Sequence, residues 1–69
     1  MNVPDKYLKD VISVLPAMAG PTIAKVEASE PMWEVNTVVS EDEVYKVILD
    51  AKKRGARDIL VMNIDRLVP

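Results

Sequence analysis

Apolar residues recur along this chain with two different periods, and the switches between them mark out its elements. Leu8, Val11, Ile12 and Leu15 fall at i, i+3, i+4 and i+7, the spacing that lines side chains along one face of a helix. This stripe predicts a helix over residues 5–15. Asp5 lies in its first turn, where a negative charge suits the helix dipole. Asp5 with Lys9 and Lys6 with Asp10 stand at i,i+4 on the polar side. Pro16 ends the helix, because it disfavours the α region at Leu15 and brings no N–H. Residues 17–21 then form a short loop.

From Thr22 the period becomes two. Ile23, Lys25 and Glu27 point one way and Thr22, Ala24, Val26 and Ala28 the other, which predicts a half-buried strand with the small residues inside. A turn at Ser29-Glu30-Pro31 leads to a second strand, Met32 to Val39, with Trp33, Val35, Thr37 and Val39 on one face. Two strands so closely joined read as an antiparallel hairpin. Ser40 and Glu43 have the spacing of a capping box, and Val44, Val47, Ile48 and Ala51 supply the stripe of a second helix. Its first turn is acidic and its last basic, in agreement with the dipole. Gly55 supplies the left-handed residue that closes it. Ile59 to Ile64 is apolar on both faces, as in an interior strand.

With Met1 to Val3 as the stub of an earlier strand, the order is βαββαβ. The fold class expected is α+β: a ferredoxin-like antiparallel sheet with two helices on one face and the first strand truncated. Residues 1–69 are expected to form a single domain. A chain of 69 residues is marginal alone and usually needs a disulfide, a metal or a partner. It has no cysteine and no histidine, which leaves oligomerisation as the open device.

Composition narrows the chemistry. At 49% hydrophobic residues the chain can fill a core, yet its longest apolar run, Ile59-Leu60-Val61-Met62, is far too short for a bilayer. The first residues lack the character of a signal peptide, so the expectation is a soluble, cytoplasmic protein. A net charge of −2 gives no basic stripe for nucleic acid. Without histidine or cysteine there is no imidazole base and no thiolate nucleophile, and Gly20 and Gly55 stand too far apart for a phosphate-cradling loop. Glu41, Asp42 and Glu43 could hold a hard cation, but the capping box explains them more simply, so no metal and no cofactor is expected. Lys52-Lys53-Arg54 and Arg57 read as a solvated helix end. Met18-Ala19-Gly20-Pro21-Thr22 is a loop with backbone groups and a hydroxyl at a strand entrance. Such a loop can take the polar ends of a small ligand or serve as an ordinary turn.

Asn2-Val3-Pro4, Leu15-Pro16, Gly20-Pro21-Thr22, Thr37-Val38-Val39 and the run from Arg54 through Gly55-Ala56 to Ile59-Leu60-Val61 occur in this order. In this combination the chain resembles the C-terminal regulatory domain of long-form ATP phosphoribosyltransferase, with Ile64-Asp65-Arg66 fitting that family's ending. The resemblance covers essentially the whole chain. It implies a ferredoxin-like domain that binds L-histidine, the end product of histidine biosynthesis, and inhibits a separate catalytic body by feedback. It also implies homo-oligomeric contacts between regulatory domains. Carried over by position, the ligand would meet Asn2, Met18, Gly20, Pro21, Thr22, Thr37 and Val38, with the Thr22 hydroxyl and the Asn2 amide as polar partners. The catalytic domains of the family are absent from the sequence, so no phosphoribosyl transfer is expected of this chain. The alternative reading is a ligand-free oligomerisation or protein-interaction module of the same fold.

Overall fold

The computed structural model describes residues 1–16, 20–66 and 68. Strand β1 (Asn2–Pro4) passes through a single 3-10 turn, Asp5–Tyr7, into helix α1 (Leu8–Ser13). Strands β2 (Thr22–Val26) and β3 (Met32–Asn36) follow as an antiparallel hairpin. A second 3-10 turn, Glu41–Glu43, opens helix α2 (Val44–Lys53). The sheet order is β1-β3-β2, with β1 antiparallel to β3. On the free side of β1 the chain returns once, at an antiparallel bridge between Asn2 and Arg57. That is the side on which the βαββαβ plan sets its last strand, so the fold is the ferredoxin-like α+β arrangement with both terminal strands cut short.

Register decides which face is the core. Val3 lies opposite Trp33, and Ile23 opposite Val35; directly opposed residues share a face. Val3 and Val35 are fully buried there with Val11 of α1, Ala51 of α2 and Ala56 beyond it, while Met1, Leu8, Leu15 and Ile59 pack around them. Both predicted helical stripes are used: Val11, Val47 and Ala51 are buried, and Leu8, Ile12, Val44 and Ile48 are half-buried.

The C-terminal end of α2 is the most fully specified corner. Gly55 adopts φ +111°. Its N–H donates to Lys52 O at 3.2 Å, and the N–H of Ala56 donates to Ala51 O at 3.0 Å, the paired bonds of a Schellman motif. The accompanying apolar contact is Ala51 with Ala56, both in the core. A Cβ on Gly55 would lie 2.6 Å from Cγ of Tyr7, so the position needs glycine for space as well as for its backbone.

Several expectations are corrected. Ile59 to Ile64 forms no strand: Leu60, Val61, Met62 and Ile64 are exposed by 52–76%. One physical reason is visible: Asp58 takes φ +53°, turning the chain off the ladder just after Arg57. In β2 the inward side is Ile23 and Lys25, not Thr22, Ala24 and Val26, because Ile23 is the residue placed opposite the buried Val35. β3 ends at Asn36 rather than Val39. The helix predicted over 5–15 begins as a 3-10 turn and ends at Ser13. Ser40 makes no side-chain cap; its carbonyl accepts the Glu43 N–H at 3.0 Å instead. Neither predicted i,i+4 pair of the first helix is an ion pair: Asp5 accepts the Trp33 indole N–H at 2.7 Å, and the Lys6 ammonium sits 5.1 Å from the Tyr7 ring centre.

Candidate functional site

The outer face of the sheet, away from the helices, is where the polar candidates gather. Asn2, Glu34 and Ala24 form one cross-strand row, and Asn36 with Thr22 forms the next. Rows on one face are about 7 Å apart and neighbouring strands about 4.8 Å, so Asn2 and Thr22 border one patch across β3 without touching. Glu34, Asn36 and Thr22 are exposed. The Asn36 amide donates to Glu34 Oε1 at 2.9 Å, and the Asn2 amide donates to Asp58 Oδ2 at 3.1 Å. Gly20, with φ +90° and open space where a Cβ would be, leads through Pro21 into this patch. Carboxylate, amide and hydroxyl groups at these spacings suit a small ligand that carries both a cation and hydrogen-bonding nitrogens.

Thr37 and Val38 lie elsewhere. They line a cavity of ≈ 120 Å³ with Met1, Val39, Val44, Val47 and the Ile59–Met62 segment. The Thr37 hydroxyl is buried there without a hydrogen-bond partner. A larger, more open and more polar hollow of ≈ 420 Å³ lies between the end of α1 and α2, with Ser13, Glu43, Lys46 and Asp50 on its walls. Asn2 and Thr22 thus lie on one face of the sheet, with Gly20 and Pro21 just before Thr22 in the chain, whereas Thr37 and Val38 line a separate cavity. Met18 lies outside the described residues.

Glu34, Asn36 and Asp58, polar neighbours on this face, are not among the candidates named from the sequence. The first two were legible in principle: if Trp33, Val35 and Thr37 face the helices, period two sends Glu34 and Asn36 to the face of Thr22. Asp58 had no such signal, since its approach to Asn2 depends on the bridge at Arg57. Among the described residues no cluster of three or more acidic side chains is placed to hold a metal, and no helix is long and apolar enough to cross a membrane. Arg57, from the predicted basic run, is engaged by Glu30 and by the Met32 sulfur at 3.9 Å.

The family model described as HisG, C-terminal domain, matches residues 1–66. The chain belongs to the HisG C-terminal domain family. It is similar to the C-terminal quarter or so of proteins named ATP phosphoribosyltransferase. One from Ignicoccus hospitalis is 58% identical over 69 residues, covering 100% of this chain and 24% of that protein. One from Methanocella arvoryzae is 54% identical over 68 residues, 99% of this chain and 24% of its own length. Another, from Sulfurisphaera tokodaii, is 53% identical over 68 residues with the same coverage, 99% and 24%. The chain thus spans about a quarter of the length of these curated relatives.

Proposed function

We propose that this HisG C-terminal domain is the ligand-sensing part of an ATP phosphoribosyltransferase of histidine biosynthesis, that it binds L-histidine, and that it catalyses nothing by itself. The observation that carries this reading is the family match over residues 1–66, joined to relatives of that name of which the chain covers a quarter. The outer-face patch supports it chemically. Glu34 offers a carboxylate to the ligand's ammonium group, while Thr22, Asn36 and Asn2 offer donors and acceptors to its carboxylate and imidazole. Bound histidine would act as feedback effector by preferring one arrangement of domains over another, since a ligand shifts an equilibrium only by that difference. The setting is the cytoplasm, and neither nucleic acid, membrane nor cofactor takes part.

An NMR titration of the labelled chain with L-histidine tests the reading. Saturable shifts at Thr22, Glu34 and Asn36, absent with L-lysine, are expected. A flat titration up to about 10 mM, weaker than any useful sensor, overturns it. A second reading, a ligand-free homo-oligomerisation module, draws on the open outer face with Ala24 exposed and Val26 half-buried beside Met32. Sedimentation that shows oligomers dispersed by Val26→Asp, with no response to histidine, would select it.

A further inference from the structure

Helix α2 carries a second apolar face that the core does not use. Val47 and Ala51 are buried and Val44 and Ile48 half-buried on the inward side, but Tyr45 and Leu49 stand 67% and 47% exposed. They belong to a longer seam. Asp42, in the 3-10 turn that opens the helix, then Tyr45, Leu49 and Lys52 are spaced by three, four and three residues. That is the a/d spacing of a coiled coil, and all four residues are exposed. At roughly 3.6 residues per turn the seam lies about 130° round the helix from the core stripe. The helix dipole accounts for an acidic start and a basic end, but not for an aromatic and an aliphatic residue in the open between them. Among the described residues neither Asp42 nor Lys52 takes part in an ion pair.

We infer that this seam docks a second copy of the chain, α2 against α2 in antiparallel order. Charge complementarity selects that occupant. Read in reverse, the seam keeps its two apolar residues in the middle and exchanges its acid for its base. A two-fold axis at the level of Val47 therefore sets Asp42 against the other copy's Lys52 and Tyr45 against the other copy's Leu49, each contact made twice. A parallel copy would set Asp42 on Asp42 and Lys52 on Lys52, like charge on like. A partner of one sign would satisfy one end of the seam and repel the other. Glu41 and Lys53, also exposed, add the same signs at the same two ends. Two apolar residues from each copy make a small contact, at the low end of specific interfaces, so a dissociation constant of about 0.1–1 mM is expected. The seam is on the helix side of the sheet and depends neither on histidine binding nor on the outer face.

The test is sedimentation equilibrium of the 69-residue chain, with amide spectra to check that each variant is folded. Reversible dimers in that range are expected, and Leu49→Asp, at an exposed position, should weaken them about tenfold or more. Asp42→Lys or Lys52→Glu alone should each weaken them roughly fivefold, because a two-fold pair repeats every change. The two together should restore the pair, whereas the helix dipole by itself makes the double variant the worst of the three. Orientation is read separately. The chain has no cysteine, so Arg54→Cys accepts a single nitroxide, and mixing it with isotope-labelled unmodified chain should broaden the amides of Glu41 to Glu43. Val26→Asp, the change that disperses an outer-face oligomer, should leave this pair intact. A monomer up to about 2 mM, a double variant no better than the single ones, or broadening at Lys52 to Arg54 instead would each overturn the proposal.

Discussion

Helix α2 and the segment that follows it are comparably rich in apolar residues, yet they meet opposite fates. Val47 and Ala51 are buried to 7% and 0% exposure, whereas Leu60, Val61 and Met62 remain 75%, 52% and 76% exposed. The helix satisfies its own backbone and needs only a surface on which to lay its stripe. The segment needs a neighbouring strand to take its N–H and C=O groups before its side chains can be buried. On the sheet side it is joined to β1 by one bridge, at Asn2 and Arg57, and the turn at Asp58 takes it off the ladder. Hydrophobicity states a demand for burial; an available partner decides whether the demand is met.

The sharpest way to break this contrast is at the corner that joins the two regions. Gly55→Ala meets both the left-handed backbone and the Tyr7 ring, and is expected to cost about 2–4 kcal/mol. Urea unfolding measures it. Adding Tyr7→Ala should recover the steric part and leave the backbone part, a separation that a double-mutant cycle reads directly. Next in size, Val35→Ala removes a fully buried side chain of the core and should cost about 2 kcal/mol. Leu60→Ala, a larger truncation on the exposed segment, should stay within about 0.5 kcal/mol. Equal losses for the two would mean that the segment is packed in solution.

Smaller effects refine the picture. Thr37→Val replaces a buried hydroxyl that has no partner with a group of similar shape, and should raise stability by about 1 kcal/mol. A loss instead would show that the hydroxyl is satisfied in solution. The ion pair of Arg57 with Glu30 joins two half-exposed side chains, so Glu30→Gln should cost less than about 1 kcal/mol, and less still at high salt.

The helices and the hairpin were legible because each rests on local periodicity that tertiary structure reinforced: Val11 and Val47 ended where their stripes placed them. The closing Gly55 was legible for the same reason, since φ > 0 at a helix end is a local demand. The fate of Ile59 to Ile64 was not. Its pattern was that of an interior strand, but pairing depends on a partner nearly sixty residues away in sequence, and on the turn at Asp58. The inward side of β2 failed similarly. Either face of Thr22 to Val26 could be the core face from composition, and only the register with Val35 resolves it. Of the candidate residues, the register sets Asn2 and Thr22 on one face of the sheet and the alternation of β3 carries Thr37 to the other, a division that no single stretch of sequence displays.

The placement of β1 between β3 and Arg57 also dictates an order of assembly. The β2–β3 hairpin closes only residues 27–31, whereas β1 must wait for residues 5–31 to be looped out before it meets β3. The longer closure carries roughly 1.5 kcal/mol more chain entropy, and the bridge to Arg57 requires residues 5–56 to be arranged as well. The hairpin can therefore form early, while β1, beside β3 and bridged to Arg57, is the last strand to dock. Until β1 docks, Val35 and the inner side of β3 stand open to any other strand, so the interval before docking is when this domain is most exposed to mispairing and aggregation.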